Sequence, residues 1–188
     1  MRYREPQPGV ITLPLLNTNE AGEILGDLKA NTDWNPAKIS TRKRISKESK
    51  AVRSAMAAAL PSSSPHAELI DARIRSIVRP IIYQRWNHDI LRHTSVQLVR
   101  YTAGDFFAVH RDNGSSFNER YYTVVCYLND DFDGGGTYFP DSDYTVQPEA
   151  GKAVIFPSDY LHRANEILKG VKYIAVIWML DTPPVDWI

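Results

Sequence analysis

Residues 172–180 are Lys-Tyr-Ile-Ala-Val-Ile-Trp-Met-Leu, a run rich in the β-branched and aromatic residues that favour strands. Because side chains alternate between the two faces of a strand, one face carries Lys172, Ile174, Val176, Trp178 and Leu180. A lysine on an apolar interior face is costly to bury without an anionic partner. The segment therefore predicts a strand whose lysine either reaches solvent at the strand start or faces a bound anion.

Similar runs recur from residue 94 onwards, separated by Gly, Pro, Asn and Asp. They predict strands without intervening helices at 94–101, 105–110, 121–128, 137–140, 144–146, 153–157, 160–163 and 172–180. This arrangement favours a barrel or a double-sheet jelly roll over residues 91–181. Two further alternating faces are expected, namely Ser95, Gln97, Val99 and Tyr101, and Tyr121, Thr123, Val125 and Tyr127.

Residues 1–90 predict helices that pack on this sheet, so the fold class is mainly β with N-terminal helices (α+β). Capping residues and prolines predict a helix start at Asn17–Glu20, an alanine-rich helix from Ser46 to Pro61, a start at Ser64 with Pro65, and a kink or end at Pro80. The apolar stripes of these helices are interpreted as packing surfaces and carry no predicted chemistry.

The overall composition is that of one domain, residues 1–188, with zero formal net charge and a pI near 7.0. This balance argues against binding to nucleic acid or to a membrane surface. The single cysteine, Cys126, cannot form an internal disulfide and fits a reducing compartment, so we expect a cytoplasmic protein. We expect neither a signal peptide nor a membrane span, because no apolar run is long enough.

A candidate metal site begins at His110-Arg-Asp112. If residues 105–112 are extended, His110 and Asp112 point to the same side, and a third ligand must come from elsewhere in the fold. His162 is the natural candidate. Two histidines and one carboxylate on one face of a metal, with the other face open, form the ligand set of non-haem Fe(II) oxygenases.

The surrounding sequence resembles a known family. The carrying motifs are Val99-Arg-Tyr-Thr-Ala-Gly-Asp-Phe-Phe107 before His110, Arg120-Tyr-Tyr-Thr-Val-Val-Cys-Tyr-Leu-Asn129, Gly134-Gly-Gly-Thr-Tyr-Phe139, Gly151-Lys-Ala-Val-Ile-Phe-Pro157 before His162, and Gly170-Val-Lys-Tyr173. In this order, from about residue 95 to residue 180, they resemble the Fe(II)/2-oxoglutarate oxygenases of the prolyl 4-hydroxylase type. The resemblance implies a double-stranded β-helix fold with the metal at the mouth of the barrel.

The resemblance also implies a set of site residues. His110, Asp112 and His162 would hold Fe(II), and Lys172 would bind the far carboxylate of 2-oxoglutarate. Tyr127 would add a hydrogen bond to the same carboxylate, and Tyr101 would lie near the cosubstrate or the metal. Weaker candidates for the cosubstrate pocket are Trp178, Gln97 and Thr137.

The implied reaction couples oxidative decarboxylation of 2-oxoglutarate by O₂ to hydroxylation of a C–H bond, with ascorbate as a further candidate cofactor. Related halogenases have a small residue at the carboxylate position, so Asp112 favours hydroxylation. A prolyl residue in a peptide or protein is the favoured substrate. Three alternatives remain open: a hydroxylase of a free amino acid or small metabolite, a cupin-type metalloenzyme that does not use 2-oxoglutarate, and a non-catalytic jelly-roll binding module.

Two other features have simpler interpretations. The basic run in residues 38–53, which includes Arg42 and Arg44, predicts either a solvated loop or a lid over the barrel mouth within residues 34–50. His66, His88 and His93 are expected to be exposed or to make local hydrogen bonds. No second metal site is predicted at these three histidines.

Overall fold

Two β-sheets and a layer of helices make up the part of the chain that the computed structural model describes, residues 3–31, 33–40, 46–47, 49–114, 117 and 119–181. One hydrophobic core lies between the helices and the larger sheet and contains Ile24, Ile74 and Ile177. A second core lies between the two sheets and contains Val99 and Phe139. The larger sheet is therefore covered on both faces, which explains why its central strands are apolar on both sides.

The helices are α1 Thr18–Asn31, α2 Pro65–Arg73 and α3 Arg79–Trp86, with a π-turn at Ile74–Val78 that joins α2 to α3. Both ends of the predicted cap at the start of α1 are confirmed, because the Asn17 and Glu20 side chains each accept the other residue's backbone N–H. Ser64 caps α2 in the same way by accepting the N–H of His66. No described helix combines the length and the apolar character that crossing a membrane would require.

The chain stays helical through Pro80 and ends α3 only at Trp86. Just before this proline, the Arg79 N–H donates to the Ile74 carbonyl five residues earlier, which widens the turn. Proline is disfavoured within an α-helix because it lacks an N–H and its ring meets an earlier carbonyl. The π-turn changes the position of those carbonyls, so the helix accommodates Pro80 instead of ending there.

The strands are β1 Arg4–Gln7, β2 Val10–Pro14, β3 Asn35–Pro36, β4 Ile39–Ser40, β5 Ser46–Lys47, β6 Arg53–Ser54, β7 Met56–Ala59, β8 Arg92–His93, β9 Gln97–Thr102, β10 Phe106–His110, β11 Arg120–Tyr127, β12 Asp133–Gly134, β13 Thr137–Phe139, β14 Tyr144–Val146, β15 Lys152–Pro157, β16 His162–Ala164, β17 Ile167–Lys169 and β18 Val171–Leu180. Each of the predicted β segments overlaps one of these strands. The strands β1 to β8, β12 and β17 fall outside the predicted segments.

The predicted alanine-rich helix from Ser46 to Pro61 is wrong. Residues Met56–Ala59 form β7, which pairs with β9 on one side and with β3 on the other. Alanine has a high intrinsic helix propensity, but tertiary context overrides such a preference when a partner strand satisfies the backbone hydrogen bonds. Strand β7 therefore extends the larger sheet.

The larger sheet has the strand order β1-β2-β15-β11-β18-β9-β7-β3, with β8 beside β18, and the smaller has the order β14-β13-β16-β10-β6. Two short pairs, β12 with β17 and β4 with β5, lie apart from them. The predicted alternation is confirmed, because the inter-sheet core contains Tyr101, Val125, Tyr127, Ile174 and Trp178. The inward faces of β9, β11 and β18 thus meet the smaller sheet, which carries two of the predicted ligands.

Candidate metal centre and its cavity

Two of the predicted metal ligands face each other across neighbouring strands. His110 ends β10 and is the direct antiparallel partner of His162 at the start of β16. Their ring centroids lie 4.2 Å apart. A register irregularity between Phe107 and His110 adjusts the strand end at this point, as β-bulges do beside active sites.

Asp112 reaches the same point by a different route from the predicted one. Strand β10 ends at His110, so Asp112 does not lie on an extended segment. Its backbone N–H instead donates to the Ser158 carbonyl at 2.8 Å, and its Oδ2 accepts a 2.8 Å hydrogen bond from the Thr123 hydroxyl. These contacts place Oδ1 3.4 Å from His110 Nε2 and Oδ2 3.5 Å from His162 Nε2.

Each histidine is fixed in the tautomer that a metal needs. His110 Nδ1 lies 2.8 Å from the Ala108 carbonyl, and His162 Nδ1 lies 3.0 Å from the Tyr160 carbonyl. A carbonyl only accepts, so each Nδ1 carries the proton and each Nε2 presents its lone pair. The three ligand atoms lie within 4.8 Å of one another, which fits a divalent metal that takes imidazole and carboxylate on one face.

The electrostatics also suit a metal. Burial alone would raise the pKa of the Asp112 carboxyl, but the neighbouring imidazoles hold that pKa far below its ordinary value. Burial lowers the pKa of His162 to about 4, although Asp112 opposes the shift. At neutral pH the site thus offers an ionised carboxylate and a neutral imidazole, which are the protonation states that metal binding requires.

The ligand rings are enclosed by aromatic side chains. Phe107 stacks on His110 with ring centroids 3.5 Å apart, and Phe156 meets His162 edge-on at 4.6 Å. Phe139 packs against Phe156 behind this pair. These apolar neighbours restrict rotation of the imidazoles and limit the access of water to the ligand atoms.

Lys172 lies in the same cavity as the three ligands and is only 1% exposed. Its Nζ donates to the Gly135 carbonyl and lies 5.0 Å from the Tyr101 ring centroid. Across the described ranges, no carboxylate lies within ion-pair distance of this amine. Burial lowers its pKa to about 7, so the charged amine is destabilised unless an anion joins it.

The carbonyl that contacts Lys172 belongs to a glycine for a steric reason. Gly135 has φ +67°, and a Cβ there would lie 2.4 Å from Ile167 Cδ1. Only glycine allows the chain to pass this close to the lysine and its neighbours. The Gly134-Gly-Gly136 run of the sequence therefore shapes the wall of the lysine pocket.

The other predicted cosubstrate residues lie at different positions along the cavity: Tyr101 is the cross-strand partner of Lys172, whereas Trp178 lies further along β18, opposite Thr123. Tyr101, Trp178, Gln97 and Thr137 line the cavity. Tyr127 lies behind this lining, with its ring centroid 5.6 Å from Lys172 Nζ and its hydroxyl 2.6 Å from Thr137 Oγ1. The structure thus brings all of these residues together, with Thr137 rather than Tyr127 facing the open space.

Sequence reasoning assigned no role to three further residues that the site contains. Thr123 links Asp112 to the Ser158 hydroxyl, and Arg120 lies in the cavity with its guanidinium 3.7 Å from the Trp178 ring centroid. Arg53 also lines the cavity, although the sequence placed it only in a basic run. The signal for Thr123 was its alternation with Val125 and Tyr127 on β11, which directs it inward.

The cavity has a volume of about 1150 Å³ and extends from the metal ligands past Lys172 to β7 and β9. This space exceeds what one small dicarboxylate needs, so a second molecule fits beside it. Of the predicted lid, residues 34–40, 46–47 and 49–50 are described, and Lys38 lines the cavity. Arg42 and Arg44 lie outside the described residues.

The remaining histidines make local contacts away from the cavity. His66 lies 2.7 Å from Asp27, His93 lies 2.8 Å from Asp71, and His88 lies 3.0 Å from Asp181. The one group of metal-ligand type found in the described part of the chain is His110, Asp112 and His162.

Comparisons with known proteins agree with this geometry. Residues 96–180 match the family model of the 2OG-Fe(II) oxygenase superfamily. The chain is 35% identical over 112 residues to prolyl 4-hydroxylase 1 of Arabidopsis thaliana, an alignment that covers 45% of this chain and 40% of that protein. The aligned region spans about half the length of the curated relatives it matches.

Solved structures show the same fold. A prolyl-4-hydroxylase of Pseudomonas putida matches with a TM-score of 0.76 and 18% identity, over 95% of this chain and 96% of that one. A prolyl hydroxylase of Trichoplax adhaerens, solved with a hypoxia inducible factor peptide, matches with a TM-score of 0.75 and 17% identity, over 94% and 86%. At these identities the likeness concerns the fold alone.

Proposed function

We propose, from the match of residues 96–180 to the family model of the 2OG-Fe(II) oxygenase superfamily, that this protein is an Fe(II)- and 2-oxoglutarate-dependent dioxygenase. It hydroxylates an unactivated C–H bond, and a prolyl residue of a peptide or protein is the favoured substrate. One observation carries the proposal: a two-histidine, one-carboxylate triad shares a cavity with a buried lysine. The prolyl hydroxylases among the sequence relatives support the substrate class.

The metal ligands lie at one end of the cavity, and the residues that bind the far carboxylate of 2-oxoglutarate lie at the other. His110, Asp112 and His162 would hold Fe(II), which with 2-oxoglutarate and O₂ supplies the oxidising chemistry, and ascorbate is a candidate reductant. Lys172 binds the far carboxylate of 2-oxoglutarate, and this anion stabilises the protonated amine that burial destabilises. Thr137 donates a hydrogen bond to the same carboxylate, while Tyr101 and Trp178 exclude water from the space between.

We further propose that residues 1–188 form one domain, in which residues 91–181 form a jelly-roll core. Residues 1–90 support this core with helices and with strands such as β2 and β7 that extend the larger sheet, and they contain the candidate lid. The inter-sheet core and the cavity between the sheets support a double-stranded β-helix. A cytoplasmic location is proposed from the single cysteine, which is buried.

The test measures succinate formation by the purified protein with Fe(II) and 2-oxoglutarate. It is paired with mass spectrometry of a prolyl peptide and of a matched peptide with alanine in place of proline. The expected result is succinate formation, together with the mass of one added oxygen atom on the prolyl peptide alone. A cupin-type enzyme would produce no succinate, and a binding module would bind peptide without turnover. Oxygen incorporated only into free amino acids would select the small-molecule alternative.

A further inference from the structure

The cavity carries an excess of positive charge that the metal and the cosubstrate leave in place. Five cationic side chains line it, against two anionic ones: Lys38, Arg53, Arg111, Arg120 and Lys172, against Asp112 and Glu119. A divalent metal brings two positive charges and 2-oxoglutarate brings two negative charges, so the loaded cavity keeps the same excess. The proposed function already assigns Lys172 to 2-oxoglutarate and Asp112 to the metal. It assigns no ligand to the arginines.

Arg120 is held in a fixed position at the metal end of the cavity. Its guanidinium lies between two aromatic rings, 3.8 Å from the Phe117 centroid and 3.7 Å from the Trp178 centroid. One of its nitrogens donates to the Asp112 carbonyl at 3.4 Å. This stacking orients the guanidinium plane and leaves its other donors for a ligand.

Arg53 approaches the same region from β6, at the edge of the smaller sheet. Its guanidinium lies 4.7 Å from the ring centroid of Phe107, the residue that stacks on His110. One nitrogen donates to the Lys38 carbonyl at 3.3 Å, and the Nε is buried without a hydrogen-bond partner. Arg53 is thus separated from the metal ligand His110 by one aromatic ring, and its Nε–H is free to donate to a ligand.

The two guanidiniums place two like charges in one cavity, where they repel each other. In the ranges that the structure describes, neither has a carboxylate within ion-pair distance. A backbone carbonyl from a substrate would satisfy one donor but would not offset the repulsion, whereas a carboxylate would do both.

We propose that the substrate carries a carboxylate next to the reacting residue, and that Arg53 and Arg120 bind it. The inference rests on the proposed function and specifies its substrate class: a peptide with an acidic side chain beside the hydroxylated position. A free C-terminal carboxylate has the same chemistry and is the other source to be distinguished. Binding this carboxylate would position the reacting C–H bond on the open side of the triad.

The experiment measures peptide affinity by isothermal titration calorimetry, without oxygen, on protein loaded with Fe(II) and 2-oxoglutarate. The probes are short peptides capped at both ends that contain one proline, with Glu or its neutral isostere Gln immediately before or after it. A further pair ends in proline, one with a free carboxylate and one with an amide. At one position the Glu peptide should bind about 30-fold more tightly than its Gln counterpart, the effect of pairing a desolvated charge.

Variants assign the effect to the arginines. Arg53→Gln should reduce the Glu-to-Gln ratio several-fold, Arg53→Lys should keep most of it, and Arg53→Glu should favour a peptide with Lys at that position. Arg75→Gln is the matched control, because Arg75 is exposed on the π-turn and pairs with Asp71. The affinity for 2-oxoglutarate should stay the same in the Arg53 variants, which separates loss of this contact from misfolding.

Three results would overturn the inference: equal affinity for the Glu and Gln peptides, no measurable binding of any acidic peptide, or an unchanged ratio in Arg53→Gln. A preference for the free C-terminal carboxylate alone would reject the acidic side chain and select the other source. Succinate formation by the same loaded protein is measured in parallel. Its absence would reject the proposed function, whereas its presence with equal peptide affinities would reject this inference alone.

Discussion

The two ends of the cavity are built in opposite ways. At the triad end each of the three ligands is supported from within the chain: each histidine Nδ1 has a carbonyl, and Asp112 has the Thr123 hydroxyl. At the other end, Lys172 is as deeply buried as any ligand, but a single carbonyl contacts its amine. The three ligands are fully supported and await only a metal ion, whereas Lys172 is a buried charge that lacks its counterion.

This difference indicates what each end is prepared to bind. Outer contacts that fix the tautomer and orientation of a ligand raise metal affinity before the metal arrives. An unpaired buried charge instead destabilises the empty protein. An anion that pairs with the charge removes this cost, so its binding stabilises the protein. The comparison therefore predicts that substitutions at either end weaken the binding of the ligand at that end. Only replacement of the unpaired lysine should stabilise the empty protein.

The largest effect is expected at the triad. His110→Ala or His162→Ala should abolish metal binding and turnover while the fold stays intact, because three ligands are the minimum for a facial site. Equilibrium dialysis with Co(II) measures binding, and circular dichroism measures the fold. His66→Ala is the control, since His66 pairs with Asp27 away from the cavity. Succinate formation at the normal rate in both triad variants would remove these residues from the site.

The next effect is expected at the lysine. Lys172→Ala should weaken 2-oxoglutarate binding by about 3–5 kcal/mol, roughly two to four orders of magnitude in apparent KM, because it leaves a buried carboxylate unpaired. Metal affinity should not change. Steady-state kinetics with varied 2-oxoglutarate provides the test, with Lys152→Ala as the control because that lysine pairs with Glu149. An unchanged KM would place the carboxylate elsewhere.

A smaller effect is expected at the support of Asp112. Thr123→Val keeps the shape of the side chain but removes the hydroxyl that donates to Oδ2. Loss of such an outer contact should weaken metal binding about tenfold without abolishing it. Competition against a fluorescent chelator can measure this change. The control is Thr145→Val on β14, which is not among the cavity-lining residues. Equal metal affinity in wild type and Thr123→Val would mean that the hydroxyl does not orient Asp112.

The smallest effect concerns the empty protein. The pKa of Lys172 is lowered from 10.5 to about 7 in the folded state, so the unfolded chain binds the proton more readily between these values. This difference destabilises the fold increasingly as pH falls from 10.5 to 7 and by a constant amount below 7. Without 2-oxoglutarate, Lys172→Met should therefore melt higher at pH 7, by on the order of 5 °C, and similarly to wild type above pH 10.5.

Differential scanning calorimetry at several pH values, with and without 2-oxoglutarate, measures this effect. Saturating 2-oxoglutarate should stabilise wild type more than Lys172→Met, because only wild type gains the ion pair. If Lys172→Met melted lower than wild type at pH 7 in the empty protein, the lysine would be a structural contact and the comparison between the two ends would fail.

Local patterns predicted the elements that depend on neighbouring residues. The capping residues of α1 and α2 are in place, and so is the alternation on β9, β11 and β18. The predictions fail where contacts with segments distant in the chain determine the local structure. Alanine-rich β7 is a strand because β9 satisfies its backbone, and Pro80 remains within a helix because a π-turn precedes it.

The sequence by itself determined which residues make the candidate site and the order in which they occur. His110, Asp112, His162 and Lys172 belong to motifs whose types and spacing indicate one chemistry, and the family match covers the expected region. Only the tertiary structure decided how they meet, since β10 and β16 are far apart in the chain and pair by backbone hydrogen bonds. The presence of Arg53 and Arg120 in one cavity was likewise invisible in the sequence, because charges brought together by folding leave no local pattern.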